Sequence, residues 1–387
     1  MSLLSLYVVA KDIEDHPENI TALGKSSNTG ITTFVNVPID YFSNLRGVIK
    51  IEDSYMLNAS LGFGLDLETL TELRGTLVYL SCLGIKGMPF LENTGAIQGI
   101  SNIAGLNQFK LYEAWIEQKF LDDNFSILFG LYDLNSEFDV RESSGIFINP
   151  SFGIGFDFSQ SGLNGPSVFP YTSLALRIKA RLSDSFEIIG AVFDGVPGSI
   201  DNDKSFQIKL SAEEGALIST ELIYASQQNQ TTLSIGGWYY TANFERDVGS
   251  SKPNSNFGLY FSGEKIIYNE EINSHQGLCL FGRIGFAHSN FNSSDYSLLG
   301  GINYTGLIPG RDEDTFGLAF TSIHLTDTFK QLQNLNSNFE TIVELTYSIQ
   351  IIEWFRLQPD LQYIFHPVFS QEAEYAFVAG IRTEISF

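Results

Sequence analysis

Three short runs set charged, amide and aromatic side chains at alternate positions: Glu113, Trp115 and Glu117; Arg177, Lys179 and Arg181; and Gln358, Asp360 and Gln362. Alternate residues of an extended chain share a face, so each run offers one row of polar groups to a single surface. Trp238 and Arg283 take equivalent places in their own alternating segments. Such rows can replace part of the hydration of a polar solute, with amides and charges meeting hydroxyls and indole faces meeting apolar patches. A carboxylate row opposite a cationic row would also set up a transverse field that orders water and penalises apolar solutes. The competing reading is that these charges pair with one another and stiffen a wall. Glu117 and Arg181, nearest the turns, suit that role, whereas Arg177 and Lys179 are better placed for a solute. Trp115 and Trp238 can stack on a solute or pack beneath an infolded loop.

Other chemistries find little support. His16, His275, His288, His324 and His366 are scattered, with no HExxH and no spacing that pairs a nucleophile with a base, so neither an enzyme nor a cofactor is expected. Asp201-Asn-Asp203 opens like a calcium loop but lacks the remaining ligand spacing; a solvated loop is expected and no metal site. Cys82 and Cys279 lie in no CxxC or Cys/His pattern and are expected to be free. A net charge of -23, with 22 Lys and Arg against 45 Asp and Glu, argues against a nucleic-acid partner.

The elements that position these rows are strands. No sustained i, i+3, i+4, i+7 apolar pattern occurs, and no uninterrupted apolar run is long enough for a spanning helix. The period of two recurs instead. Tyr112, Ala114 and Ile116 oppose the Glu113 row; Leu174, Leu176, Ile178 and Ala180 oppose the Arg177 row; Leu278, Leu280, Ile284 and Phe286 oppose Cys279, Arg283 and Gly285; and Phe355, Leu357, Leu361 and Tyr363 oppose Trp354, Arg356 and the Gln358 row. Tyr375 to Phe387 alternates in the same way, as the closing strand of a membrane barrel does; a terminal sandwich strand is the alternative. The pattern predicts about sixteen strands near 31–42, 54–67, 75–85, 109–119, 124–132, 172–182, 185–194, 215–225, 230–242, 255–263, 277–288, 295–305, 314–324, 338–350, 353–364 and 375–387, with a rival segment at 203–211. Links after even strands are short and those after odd strands longer, the asymmetry of periplasmic turns and extracellular loops. The fold expected is therefore all-β: a transmembrane antiparallel barrel over 31–387 in a bacterial outer membrane, behind an N-terminal periplasmic segment at 1–30 that lacks the basic region of an export signal. The stretch 133–171, rich in Phe and Gly, is too long for an ordinary link and is expected to fold into the barrel mouth as a constriction. A lid over the outside is the other possibility.

The motifs Glu113-Ala-Trp-Ile-Glu-Gln118, Gly130-Leu-Tyr-Asp133, Phe147-Ile-Asn-Pro-Ser-Phe-Gly153 and Asp157-Phe-Ser-Gln-Ser-Gly162 resemble those of the OprB-type carbohydrate-selective porins. Phe193-Asp-Gly195, Gly236-Gly-Trp-Tyr239, Gly306-Leu-Ile-Pro-Gly-Arg311 and Leu357-Gln-Pro-Asp-Leu-Gln-Tyr363 follow in the family's order, so the resemblance runs from about residue 54 to the C-terminus, on the alternating strands such barrels require. It implies a sixteen-stranded barrel, passive diffusion of glucose and similar small sugars, and a constriction made by infolded loops. The pore-lining set expected from register is Glu113, Trp115, Arg177, Lys179, Trp238, Arg283, Gln358, Asp360 and Gln362. Expected partners are small carbohydrates, outer-membrane lipid and lipopolysaccharide, with a homo-oligomer left open. A non-selective porin, a non-transporting adhesin or envelope barrel, and a barrel enzyme are the rival readings.

Overall fold

Alternation of apolar and polar residues forces each extended segment to face two environments, and a ring of such segments satisfies both without leaving an unpaired edge. A computed structural model of the chain has this form. It describes residues 30–47, 52–87, 94–198, 213–242, 244, 255–270, 276–370 and 373–387. Sixteen antiparallel strands close into one barrel, each bonded to its neighbours in sequence and β1 bonded to β16. They are β1 Ile31–Arg46, β2 Asp53–Asp66, β3 Thr76–Gly87, β4 Gln108–Phe120, β5 Phe125–Tyr132, β6 Ser173–Ser183, β7 Phe186–Asp194 and β8 Ala216–Ser226. There follow β9 Thr231–Tyr240, β10 Phe257–Asn269, β11 Gly277–Ala287, β12 Ser294–Thr305, β13 Thr315–Leu325, β14 Phe339–Ile352, β15 Phe355–Phe365 and β16 Tyr375–Ser386.

All sixteen expected strands are present, although β1 runs to Arg46 rather than 42 and β10 to Asn269 rather than 263. The rival segment at 203–211 and the expected periplasmic segment, apart from Gly30, lie outside the described residues. No helix among the described residues is long and apolar enough to cross a membrane; the barrel crosses with strands. Outward rows such as Leu176, Ile178, Leu280 and Phe286 are exposed and apolar, while Arg177 and Arg283 between them point inward and are buried.

Two face assignments fail. Tyr112, expected on the lipid side with Ala114 and Ile116, is buried inside the barrel. A bulge on β4 is the cause: Ser81 pairs with Glu113 and Cys82 with Leu111, so Tyr112 is skipped. The extra residue resets the alternation, and Lys110, Tyr112, Glu113 and Glu117 are all buried. Trp354, expected on the polar face, is exposed in the β14–β15 turn and stacks on Phe387 at 5.6 Å.

The turns between even and odd strands are mostly tight, as at 121–124, 184–185 and 353–354. Asp122 and Asp123 adopt the left-handed backbone that a short turn needs and that Asp tolerates. Two links depart from the expected alternation. The link 67–75 holds a one-turn helix, Leu67–Thr71, capped by the Asp66 carboxylate, and the link 306–314 is braced by an Arg311–Asp314 pair at 2.7 Å; both exceed the 288–293 link on the opposite rim.

Candidate functional site

Segments 94–107 and 133–172, the links after β3 and β5, lie inside the barrel rather than over it. Wall carboxylates hold them there by accepting their backbone N–H groups. Glu344 takes Ile148 N at 2.6 Å and Asn149 N at 3.0 Å, and Glu340 takes Ile97 N and Gln98 N, both at 3.0 Å. Glu221 takes Asp139 N at 2.8 Å, Glu264 takes Ser143 N at 2.8 Å, and Glu113 takes Asp133 N at 3.2 Å. A loop without regular ladders must find acceptors for its buried N–H groups, because a buried donor left without one costs about 1–3 kcal/mol. This is one use of an acidic wall.

Arginines complete the attachment. Arg283 on β11 sends Nε to Asp139 at 2.8 and 2.9 Å and Nη1 to Asp157 Oδ1 at 2.5 Å, with Ser297 Oγ at 3.1 Å. Arg141 reaches the same Asp139 at 2.6 Å, and Asp139 also accepts Gly155 N at 3.0 Å. The fit depends on glycine: a Cβ at Gly155 would lie 2.0 Å from the Arg283 guanidinium, and one at Gly285 would lie 2.3 Å from Asp157. On the neighbouring wall, Arg177 bonds Glu117 at 2.7 Å and Ser126 at 2.5 Å and reaches Glu137 of the loop at 2.7 Å, while Lys179 lies 3.2 Å from Glu137. Burial would raise the Glu137 carboxyl, but Arg177 and Lys179 outweigh it and bring it down to about 2. Asp133 has no such cation. Burial raises it to about 6, against the pull of the Tyr112 hydroxyl and the Asn135 N–H.

These attachments leave an open space on the other side of the lumen. A cavity of about 760 Å³ runs from Ser293, Phe329 and Phe369 in the outer links, between the two infolded segments, to Asn36, Asn58 and Ser60 on β1 and β2. Its lining is amide, hydroxyl, small apolar and aromatic, including Gln98, Asn102, Asn135, Gln160 and Phe169. Among the described residues that line it, Asp133 alone is ionisable.

None of the nine residues expected to line the pore borders this cavity. Gln358 donates to Ile146 O at 2.7 Å, and Gln362 donates to Ile100 O at 2.8 Å and to Asp360 at 3.0 Å; all three are buried under the loops. Trp238 is 3% exposed and stacks on Phe158 of the loop at 5.3 Å, so it occupies the packing position rather than a solute-facing one. Trp115 is partly buried, stacks on Tyr79 at 5.0 Å and has Nε1 3.3 Å from Glu113. Arg177 and Arg283 are spent on carboxylates, Lys179 keeps part of its surface exposed, and Arg181 is exposed near the β6–β7 turn. Cys82 and Cys279 are both free. The cavity residues Asn36, Asn58 and Ser60 were detectable as polar positions inside β1 and β2; Gln98 to Leu106 carried no alternation that could have marked them.

A closed sixteen-stranded barrel with a lipid-facing apolar wall, infolded links and a polar passage is a porin of the outer membrane. The sequence matches the carbohydrate-selective porin, OprB family, over residues 52–387, and the chain belongs to that family. It is 24% identical over 372 residues to Porin B of Pseudomonas aeruginosa, covering 85% of this chain and 81% of the relative. Its fold resembles Pseudomonas putida OprB in a high-pH structure, with a TM-score of 0.82 and 20% identity, covering 93% of this chain and 95% of the other. A low-pH structure of the same protein aligns with a TM-score of 0.62 and 18% identity over 93% of each chain. The chain is thus a carbohydrate-selective outer-membrane porin.

Proposed function

We propose that this porin passes glucose and other small neutral sugars by passive diffusion along the cavity between the 94–107 and 133–172 segments, with 133–172 as the constriction. The observation that carries this reading is the lining: amides and hydroxyls that can exchange with the solute's hydration shell, aromatic rings for its apolar faces, and one carboxylate. Neutral hydrogen-bonding groups bind sugar weakly enough to release it, which a diffusion channel requires. The carboxylate disfavours anions of equal size. Within this reading Glu113, Arg177, Lys179, Arg283, Gln358, Asp360 and Gln362 set the shape of the passage by holding the loops, and Trp115 and Trp238 fill the space behind them. Lipid and lipopolysaccharide meet the outward apolar belt.

The test is liposome swelling and tracer uptake with the purified protein. Glucose should enter far faster than in protein-free vesicles, and faster than glucuronate. Equal entry of glucose and glucuronate contradicts the neutral-sugar preference; swelling no faster than in protein-free vesicles contradicts the channel.

A further inference from the structure

A second polar recess lies on the opposite side of the lumen, outside the passage described above. Its volume is about 540 Å³, within the range of small-ligand sites, roughly 300–1,000 Å³. Its walls are the periplasmic ends of β8 to β12 and the turn 227–230. Gln230, Thr232, Asn303 and Thr305 bring amides and hydroxyls to it, and Glu264 brings a carboxylate. Its roof is the Glu142–Ser143 stretch of the infolded segment. Glu264 accepts Ser143 Oγ at 2.5 Å and Ser143 N at 2.8 Å, and Asn303 donates to Ser143 O at 2.5 Å, so the roof is pinned to the wall. The roof closes its outer side, and its walls run to the periplasmic ends of the strands.

We propose that this recess is a second sugar subsite, one that takes a neutral mono- or disaccharide from the periplasmic side. Its donors and acceptors are of the kinds that line the main passage, the Gln230 amide and the Thr232 and Thr305 hydroxyls, with Glu142 and Lys265 also in the lining, while Glu264 holds the roof. The passage reaches from the outer links to β1 and β2 and favours transit. The recess is closed at one end and favours retention. The choice of ligand rests on the sugar-channel reading given above; the existence of the subsite does not.

Nature has placed a reporter in it. Cys279 lines the recess, whereas Cys82 on β3 lies between the inward, buried Ser81 and Leu83 and so faces the lipid side. In the intact protein in liposomes, a membrane-impermeant charged maleimide should therefore label Cys279. Maltose should slow that labelling roughly threefold at a concentration twice its dissociation constant, as mass action requires. A polyethylene glycol too large to enter, at matched viscosity, should not slow it. Thr232→Val, which removes one hydroxyl at nearly constant volume, should weaken the protection. Failure of Cys279 to label, labelling indifferent to maltose, or undiminished protection in Thr232→Val each overturns the subsite. The same liposomes report glucose swelling, so loss of the subsite with swelling intact is distinguishable from loss of the channel reading itself.

Discussion

The two sides of the lumen differ in how much charge they carry. Along β6 to β12 the wall meets the infolded segment through buried ions: Arg177 with Glu117 and Glu137, and Arg283 with Asp139 and Asp157. Along β1 and β2 the wall offers Asn36 and Ser60 to open space, and there one ion pair, Asp40 with Arg382 at 2.6 Å, holds Ser101 of the 94–107 segment. Ions withdrawn from water must be paired, and pairing them across an interface fixes that interface; neutral amides carry no such demand and can stay solvated. Buried charge thus holds most of the infolded segment to the wall, and mostly neutral groups line the cavity beside it.

The largest expected effect comes from breaking the ionic side. Arg283→Met leaves Asp139 and Asp157 buried without their shared partner, a loss of about 3–5 kcal/mol for such a pair. The barrel, held by sixteen strand pairings, should survive while the loop loosens. Planar-bilayer recording should give a larger and noisier conductance, and swelling assays a higher size limit; an unchanged limit would show that Arg283 does not position the loop. Acid should not imitate this at Arg177. Because the Glu137 carboxyl is held down to about 2, its contribution is fully present above its ordinary value of 4.5 and fades only as pH falls through about 2.

A smaller effect sharpens the open side. The Asp133 carboxyl, raised by burial to about 6, is neutral in acid and charged at neutral pH. Between its ordinary value of 3.8 and about 6 it binds a proton in the folded chain that the unfolded chain releases, so its contribution to stability declines as pH rises through that window. Cation preference should run the other way, present above about 6 and reduced below it. Reversal potentials across a salt gradient should follow that titration, and Asp133→Asn should flatten it.

The smallest effect concerns Trp238. Its indole N–H has no hydrogen-bond partner and its ring packs on Phe158, so Trp238→Phe should cost less than about 1.5 kcal/mol as an apolar near-isostere. Sugar flux should be unchanged. A several-fold fall in flux at intact stability would place Trp238 in the passage and blur the division between the two sides.

Much of the fold was legible because the two-residue rhythm reports what each strand must face, and it located all sixteen strands. It misplaced Tyr112 because one bulge residue resets the rhythm without changing composition. Register also identified an inward face at Arg177, Arg283 and the Gln358 row, but inward is not the same as wet. Which inward side chains meet water depends on where the infolded segments settle, and that is decided by partners far apart in sequence, such as Glu344 with Ile148 and Glu340 with Ile97. No local pattern encodes those pairings. Hence the structure places the Gln358 row against the infolded segments and Asn36, Asn58 and Ser60 along the cavity.

The division of the lumen is most directly tested by single-cysteine accessibility during conductance recording, with Cys82 and Cys279 replaced by Ser. Ser60→Cys, half-buried on the cavity wall, should react rapidly with a bulky water-soluble thiol reagent and lose most of its current, while Gln358→Cys, buried beneath the loop, should neither react nor change conductance. The opposite pattern, with block through position 358 and silence at 60, would contradict the account.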